Sequence, residues 1–567
     1  MFCGPPVTRL LRWFPFLNWP RPDIGLMRGE FLAGLTVSLI IVPQSVAYAA
    51  LAGMPLITGI YASFIPALVA VLWSASPRLS VGPTALSSLL VMASLSGLAE
   101  PGSTQWVVLA VWVSLISGLV QVALGLARYG WILNLVSAPV LAGFTQAATI
   151  LILWSQLPSL LGLQSGWADL IDKPSVDGAA TAFGVGSLAF LVVARRVAPQ
   201  FPAVMFAVTG CGVISYYIGY AHMGGAVIGS LPSGLPSLFW PGLLPWEVLG
   251  ALVVPALVIA LVSFLETASS AKAESQLVRR PWNDNQDLIA QGLAKVASGL
   301  TGSFPTSSSF SRSAINLYAG AKTGWATVFT VAMVLVVLLW LTPALAYVPS
   351  AVLAAVVVAA VSSLFKPSII VRLWRILSVE AAIMGVTFVA TLLTAPRIYW
   401  GVLTGVLLSL IAFLHHHLHP RIIEVGLHPD GSLRDRHLWN LPPLAEGVYA
   451  VRLDAELDFA AASSFERTIS EFLNLHPETR HVCLFAHPIN RIDASGIEAF
   501  ATLQANLAIR NITLHVTGMK LPVERVLIRS GHLQASTMLR LYRTDAQAIQ
   551  SLSQVRPAAY PSFDPQV

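Results

Sequence analysis

The chain has 567 residues, 55% of them apolar and only 11% charged, against roughly a quarter charged in an ordinary soluble domain. With a mean hydropathy of +0.72, it carries more apolar surface than a soluble globule can hide. Residues 1–420 hold 19 Lys/Arg and 12 Asp/Glu, whereas residues 421–567 hold 14 and 15, so a polytopic membrane body is followed by a water-soluble tail. The formal charge of +6 arises in the membrane body, where topology accounts for it, and no nucleic-acid partner is implied. Cys3, Cys211 and Cys483 form neither a disulfide framework nor a zinc motif. Residues 1–30 read as a cytoplasmic N-terminal segment without the features of a signal peptide.

A span needs on the order of 20 apolar residues, fewer where a helix stops at mid-membrane. In chain order the predicted segments are 31–52, 57–73, 84–97, 105–126, 131–161, 178–194, 202–220, 249–270, 286–301, 309–320, 323–345, 349–363, 379–394 and 397–414, which is fourteen within a transport domain of 31–420. With the N-terminus inside, the inner loops hold Arg9, Arg12, Arg21, Arg28, Arg78, Arg128, Arg195, Arg196, Lys272, Arg279, Arg280, Lys322, Lys366, Arg372, Arg375 and Arg421. The outer loops hold only Lys173 and Arg397. A miscounted span would reverse every later loop, so this asymmetry supports both number and direction, with both termini cytoplasmic.

Two segments are short and broken. The first, 84–97, is led in by Ser80-Val81-Gly82-Pro83-Thr84, and the second, 309–320, by Pro305-Thr306-Ser307-Ser308-Ser309. Each is third in a run of seven. Because seven is odd, the second run is inverted relative to the first, the layout of inverted-repeat transporters. Ser137-Ala138-Pro139-Val140-Leu141-Ala142 and Pro349-Ser350-Ala351-Val352-Leu353-Ala354 are a weak internal echo of the same repeat. A helix that begins at the midplane offers unpaired N–H groups and the positive end of its dipole, and two such ends make an anion site. Gly82, Thr84, Ser308, Ser309, Ser311 and Ser313 allow close approach and supply hydroxyls. Arg312 lies within the membrane and suits an oxyanion, or else pairs with a carboxylate for packing. Glu266, the other intramembrane charge, is read as a proton carrier or cation ligand, or as a structural partner of Arg312, Lys295 or helix N-termini. Lys295 is expected to snorkel to an interface.

These residues resemble the SulP family of anion transporters, also called solute carrier family 26 and founded on sulfate permeases. The resemblance runs through Val42-Pro43-Gln44-Ser45-Val46-Ala47-Tyr48-Ala49, Pro55 with Gly59-Ile60-Tyr61-Ala62-Ser63, Ser76-Pro77-Arg78, and Leu79-Ser80-Val81-Gly82-Pro83-Thr84-Ala85. Its most specific part is Phe304-Pro305-Thr306-Ser307-Ser308-Ser309-Phe310-Ser311-Arg312-Ser313-Ala314-Ile315-Asn316, with Ala319-Gly320-Ala321-Lys322-Thr323 after it and Asn285-Gln286-Asp287 before it. The resemblance implies a fourteen-span, 7+7 inverted-repeat fold of core and gate subdomains, homodimerisation, and an elevator-like motion of the core. It places the anion with Gln44, Tyr48, Val81, Gly82, Thr84, Ala85, Ser309, Phe310, Ser311 and Arg312, and coupling at Glu266. Some proton-coupled bacterial relatives have Glu at the position of Gln44, so coupling there is unavailable to this chain. Sodium-coupled bicarbonate relatives place Asp near Glu266, which keeps sodium open as the coupling ion. Relatives often have Asn at the position of Lys295.

Residues 421–444 read as a linker, and from about 445 short β-rich runs alternate with amphipathic helices. Strands at 447–453, 481–485 and 512–516 and helices near 459–474, 495–508 and 521–530 predict a small cytoplasmic α/β domain over 445–550. Ile492-Asp493-Ala494-Ser495-Gly496 resembles the STAS domain of SulP proteins, although Asp493 and Ser495 also suit a plain helix cap. Phosphorylatable STAS domains have Ser directly after the Asp, where this chain has Ala494, so no Ser phospho-switch is expected. Residues 551–567 are expected to be a disordered tail. His415, His416, His417 and His419 read as an interfacial linker rather than a metal site.

The reading is a secondary active anion transporter of the inner or plasma membrane, with sulfate as substrate and proton symport as mode. It needs no cofactor or metal, and its partners are a small inorganic anion, H+ or Na+, membrane lipid and a second copy. Bicarbonate, dicarboxylate or anion exchange are the alternatives within the family. A membrane sensor signalling through the tail is the alternative from another class. The sequence has no HExxH, GxSxG or Walker A motif, and no enzyme is implied.

Overall fold

The computed structural model describes residues 14–163, 177–198, 201–279, 281–534 and 536–553. Arg9, Arg12, Lys173, Arg280, Cys3 and residues 554–567 of the predicted tail lie outside the described residues. The chain divides into two compact units, Met1–Ser409 and Leu410–Val567.

Each of the fourteen predicted segments coincides with helix. In order these are α1 (Ile24–Leu51), α2 (Ile57–Ala62) with α3 (Ile65–Trp73), α4 (Ala85–Leu95), α5 (Thr104–Leu126), α6 (Ala138–Leu160), α7 (Gly178–Val197), α8 (Ala203–Ile218), α9 (Trp246–Val278) and α10 (Asp284–Leu300). They continue as α11 (Phe310–Tyr318), α12 (Trp325–Leu345, with a π-helical stretch at Val337–Leu341) and α13 (Ser350–Val361). After the short helix α14 (Ser368–Ile376) come α15 (Ser378–Leu393) and α16 (Tyr399–Leu418). Eight helical stretches among the described residues are long and apolar enough to cross a membrane. The predicted second span is interrupted at Ser63–Phe64 because Pro66 follows at the start of α3 and has no N–H to continue the ladder. The predicted segments omit α14, which is too short to span.

The packing repeats between the two halves of the transport unit. The contact of α1 with α12 is matched by that of α9 with α5, and the contact of α9 with α4 by that of α1 with α11. Likewise α13 packs on α7 as α6 packs on α15. Each pair maps onto its counterpart when the first helix of one half is exchanged for the first of the other. Two groups result. One contains α1–α5 with α9–α12, the other α6–α8 with α13 and α15. One close approach in the first group is that of α5 to α10, where a Cβ on Gly118 would lie 2.7 Å from the Gly292 carbonyl oxygen. Glycine at both positions lets the two backbones touch.

The second unit contains a six-stranded sheet in the order β4-β3-β5-β6-β7-β8. Its strands are β3 (Ile422–Leu427), β4 (Leu433–Asp435), β5 (Val448–Leu453), β6 (His481–Phe485), β7 (Thr513–Thr517) and β8 (Leu539–Tyr542). The last four are parallel and β3 runs antiparallel to β5. Helices α17 (Phe459–Leu475), α18 (Ala494–Ile509) and α19 (Leu521–Arg529) supply the larger apolar core, including Phe465, Phe500 and Leu527. Helix α20 (Asp545–Ser553) supplies Ala548 and Leu552 to a smaller one with Val425, Cys483 and Phe485.

Two expectations are corrected here. Residues 421–444 are not a linker, because Ile422, Ile423 and Glu424 pair with Leu453, Arg452 and Val451 and bury one edge of the sheet. Residues 551–553 belong to α20 and not to a disordered tail. The histidines from 415 to 417 form the last turn of α16, with His419 just beyond it bonded through Nδ1 to the His415 carbonyl at 2.9 Å.

Candidate anion-binding site

The two short helices begin from one two-stranded ribbon. β1 (Val81–Gly82) and β2 (Ser307–Ser308) pair antiparallel, Val81 opposite Ser308 and Gly82 opposite Ser307. The Ser309 N–H extends the pairing by donating to the Ser80 carbonyl at 3.0 Å. Because the strands run in opposite directions, α4 and α11 leave the ribbon at opposite ends, each with its N-terminus toward it. Both helices are capped by hydroxyls: Thr84 Oγ1 accepts from the Ser87 N–H at 3.3 Å, and Ser309 Oγ from the Arg312 N–H at 3.5 Å. Each cap satisfies one of the free donors of a helix start and leaves the earlier ones.

Remote side chains hold this ribbon in place. Asp287, on α10, accepts from the Ser74 and Ser76 hydroxyls at 2.6 and 2.7 Å and from the Ala75 and Ser76 N–H groups at 2.8 and 3.2 Å. Arg78 pairs with Glu274 at 2.8 Å, and Asn316 Nδ2 donates to the Arg78 carbonyl at 2.8 Å. The Ser80 N–H donates to Ser313 Oγ at 2.9 Å. Glu30 on α1 does similar work at the start of α12, accepting from the N–H groups of Lys322, Thr323 and Ala326 at 2.8 to 2.9 Å. Sequence reasoning assigned no role to Glu30, and it used Asp287 only for family resemblance. A carboxylate fully buried against another segment's N–H groups is visible only in three dimensions.

At the centre lies Arg312, 1% exposed. Its Nε donates to Ser80 Oγ and its Nη1 to Gln44 Oε1, both long at 3.4 Å. Its Nη2 has no hydrogen-bond partner, and among the described residues Arg312 makes no ion pair. The reading of Arg312 as one half of a packed carboxylate pair is therefore not met. Gly82 lies beside it: a Cβ there would sit 3.4 Å from Nη2 and 3.2 Å from Ile41 Cδ1. Tyr48 is buried one turn beyond Gln44 on α1, Val81 is buried in β1, and Thr84 and Ala85 are buried at the start of α4. The structure thus brings together Gln44, Tyr48, Val81, Gly82, Thr84, Ala85 and Arg312. Ser309 is half-buried, whereas Ser311 and Phe310 are exposed, Phe310 at 56%. Ser80, absent from the predicted set, touches the guanidinium, and its hydroxyl in the same run was the available signal.

Glu266 is half-buried on α9 and accepts from Thr84 Oγ1 at 3.0 Å. One hydroxyl therefore caps α4 and holds the acid. Among the described residues Glu266 has no ion pair, so it is not locked to Arg312 or Lys295. Lys295 does not snorkel. It is 0% exposed in the α5–α10 contact, where its Nζ donates to Gln121 Oε1 at 2.9 Å. Gln121 Nε2 in turn donates to the Ala260 carbonyl at 2.7 Å and to Ser263 Oγ at 3.2 Å on α9. The glycine-tight packing leaves its stem no path to an interface. No metal-holding group of three or more His, Cys, Asp or Glu occurs among the described residues.

Helices in an inverted repeat, two of them starting from a buried antiparallel ribbon beside an uncompensated guanidinium, define a multi-pass membrane anion transporter. Residues 27–387 match the sulfate permease family and residues 443–548 the STAS domain; the chain belongs to the sulfate permease family. It is 30% identical over 560 residues to sulfate transporter 4.1, chloroplastic, of Arabidopsis thaliana, covering 93% of this chain and 81% of that one. A probable sulfate transporter of Mycobacterium tuberculosis is 31% identical over 508 residues, covering 87% and 90%. The sodium-independent sulfate anion transporter of Bos taurus is 29% identical over 577 residues, covering 93% and 90%. Among solved structures, the murine solute carrier 26 family member A9 anion transporter in the inward-facing state superposes with a TM-score of 0.87 at 20% identity, over 98% of this chain and 96% of that one. The transmembrane domain of a cyanobacterial bicarbonate transporter, BicA, gives 0.58 at 20% identity over 68% and 98%.

Proposed function

We propose that this chain takes up sulfate by proton symport, holding the anion beside the β1–β2 ribbon. The observation that carries the reading is the Arg312 Nη2, fully buried and unpartnered beside Gly82. A guanidinium at membrane depth is costly without a counter-charge, and among the described residues no carboxylate pairs with it. A small oxyanion supplies that charge. It also meets the N–H groups at the starts of α4 and α11 that the caps leave free. In this reading Gln44, Tyr48, Val81, Gly82, Thr84, Ala85, Ser309, Phe310, Ser311 and Arg312 form the binding region. Three relatives carry sulfate transport in their names, which favours sulfate over other oxyanions.

Glu266 is the coupling residue. Its bond to the cap of α4 links the charge state of the acid to the geometry of one helix N-terminus, so anion and proton are read by adjoining groups. Sodium is the alternative coupling ion, and a relative named sodium-independent favours the proton. The α1–α5/α9–α12 group carries the site and slides as an elevator against the α6–α8/α13/α15 group. The protein acts as a homodimer in the inner or plasma membrane with both termini cytoplasmic.

The test is uptake of labelled sulfate into proteoliposomes with an imposed pH gradient, an imposed sodium gradient or neither. Accumulation driven by the pH gradient alone is expected. Accumulation driven only by sodium replaces the proton with sodium, and sulfate binding without flux under any gradient makes the chain a sensor.

A further inference from the structure

Helix α14, Ser368–Ile376, lies in the connection between α13 and α15 and no function has so far been given to it. At 1.5 Å per residue its nine residues reach about 13.5 Å, less than half of a hydrocarbon core of about 30 Å. It cannot cross. Nor can it leave the bilayer surface, because six residues separate it from α13 and only Leu377 separates it from α15.

Its sequence divides by face. On a helical projection Ser368, Arg372 and Arg375 share one side, while Ile369, Ile370, Leu373, Trp374 and Ile376 occupy the other. Ile369 and Leu373, one turn apart, are half-buried, and the helix packs on α15. The rest of the apolar side is exposed, Trp374 at 70%, Ile376 at 67% and Ile370 at 37%, and Val371, between Trp374 and Arg375 on the projection, is 54% exposed. Lys366, just before the helix, adds a third cation, and no acidic residue occurs between Ser362 and Val379. Among the described residues none of these three cations makes an ion pair.

We propose that α14 with Lys366 is a surface anchor for anionic phospholipid. Trp374, Ile370 and Val371 seat among the acyl-chain ends, and Lys366, Arg372 and Arg375 bind headgroup phosphates of the cytoplasmic leaflet. Charge complementarity selects this occupant, since an apolar face alone would fit any lipid or a second copy, whereas three uncompensated cations level with a membrane surface call for anions. Two arginines can also chelate phosphate oxygens in pairs. Because α14 is tied at both ends to the α6–α8/α13/α15 group, it fastens that group to the leaflet.

The experiment uses the full chain in phosphatidylcholine vesicles with either spin-labelled phosphatidylglycerol or spin-labelled phosphatidylcholine as the probe. The relative association of the two is read by electron paramagnetic resonance. The intact protein is expected to prefer phosphatidylglycerol by about threefold or more at low salt, with the preference screened at high salt. The triple variant Lys366→Gln, Arg372→Gln, Arg375→Gln loses most of this preference. The variant Arg372→Lys, Arg375→Lys retains it in part, and Arg195→Gln, Arg196→Gln at the end of α7 removes less. A triple variant that is folded and keeps the full preference overturns the proposal. So does one whose lipid preference is unchanged while its oligomeric state changes, because α14 would then face a second copy. If the triple variant does not fold, Arg372→Gln alone decides: an unchanged preference overturns the proposal, and a partial loss supports it.

Discussion

Arg312 and Gln44 meet at 3.4 Å, one contributed by a half-helix of the second repeat and the other by the long first helix of the first. The contact is long for a hydrogen bond of a charged donor, and the adjoining Nη2 has none. The guanidinium is therefore positioned by the protein without being neutralised by it.

Replacing Arg312 by Ala removes a charged contact worth about 1.5–3 kcal/mol, which weakens sulfate binding by about ten- to a hundredfold. Arg312→Lys recovers only part, because an ammonium cannot keep Gln44 and Ser80 while facing the anion. Calorimetric titration of the detergent-solubilised protein measures both, with circular dichroism to establish that the helices persist. Unchanged affinity in Arg312→Ala removes this residue from the site.

Gly82 tests the same place by volume. A Cβ there sits 3.2 Å from Ile41 Cδ1 and 3.4 Å from Arg312 Nη2, so Gly82→Ala is accommodated by a small shift and lowers affinity modestly. Gly82→Val fills the space beside Nη2 and abolishes binding. Equal affinities for the two variants would show that the anion does not approach this part of the ribbon.

Glu266→Gln keeps an acceptor for the Thr84 hydroxyl, so the cap of α4 survives while the ionisable group is lost. Sulfate binding is expected to persist and pH-driven accumulation to disappear, leaving downhill flux. Proteoliposome uptake at equal and unequal pH separates these. Accumulation that survives the substitution assigns Glu266 to structure.

In the second unit His515 is buried between His481 Nδ1 at 3.2 Å and the Tyr542 hydroxyl at 3.1 Å. Burial, followed by the charges of His481 and Arg540, pushes its pKa down to about 4. An unfolded histidine titrates near 6.5, so between these values the unfolded chain binds a proton that the folded domain refuses. Stability from this site is present above about pH 6.5 and falls as the pH drops toward 4. Hydrogen-exchange protection of β6 and β7, corrected for intrinsic rates, is expected to decline over that window in the intact protein and less steeply in His515→Gln. An identical pH profile in the variant rules His515 out as the cause.

The STAS-like junction behaves as a cap. Asp493 Oδ1 accepts from the Gly496 N–H at 2.9 Å and Oδ2 from the Phe459 N–H at 3.0 Å, tying the start of α18 to that of α17. Although desolvation opposes it, these backbone donors hold the carboxyl below its usual range.

Local order along the chain was enough to establish the helices, their apolar lengths, the two broken lead-ins and the change of solvent near residue 420, because hydropathy and Gly/Pro interruptions act within a few residues of where they stand. The same is true of the parallel strands and helices of the tail, whose apolar periods are short. Tertiary structure alone decided that Lys295 is sealed between α5 and α10, that Glu30 and Asp287 hold distant backbone, and that residues 422–435 complete a sheet. It also decided that, among the described residues, Arg312 has no carboxylate partner. Each of these depends on which side chain meets which across hundreds of residues, and a buried charge is satisfied or left open only by what packing brings against it.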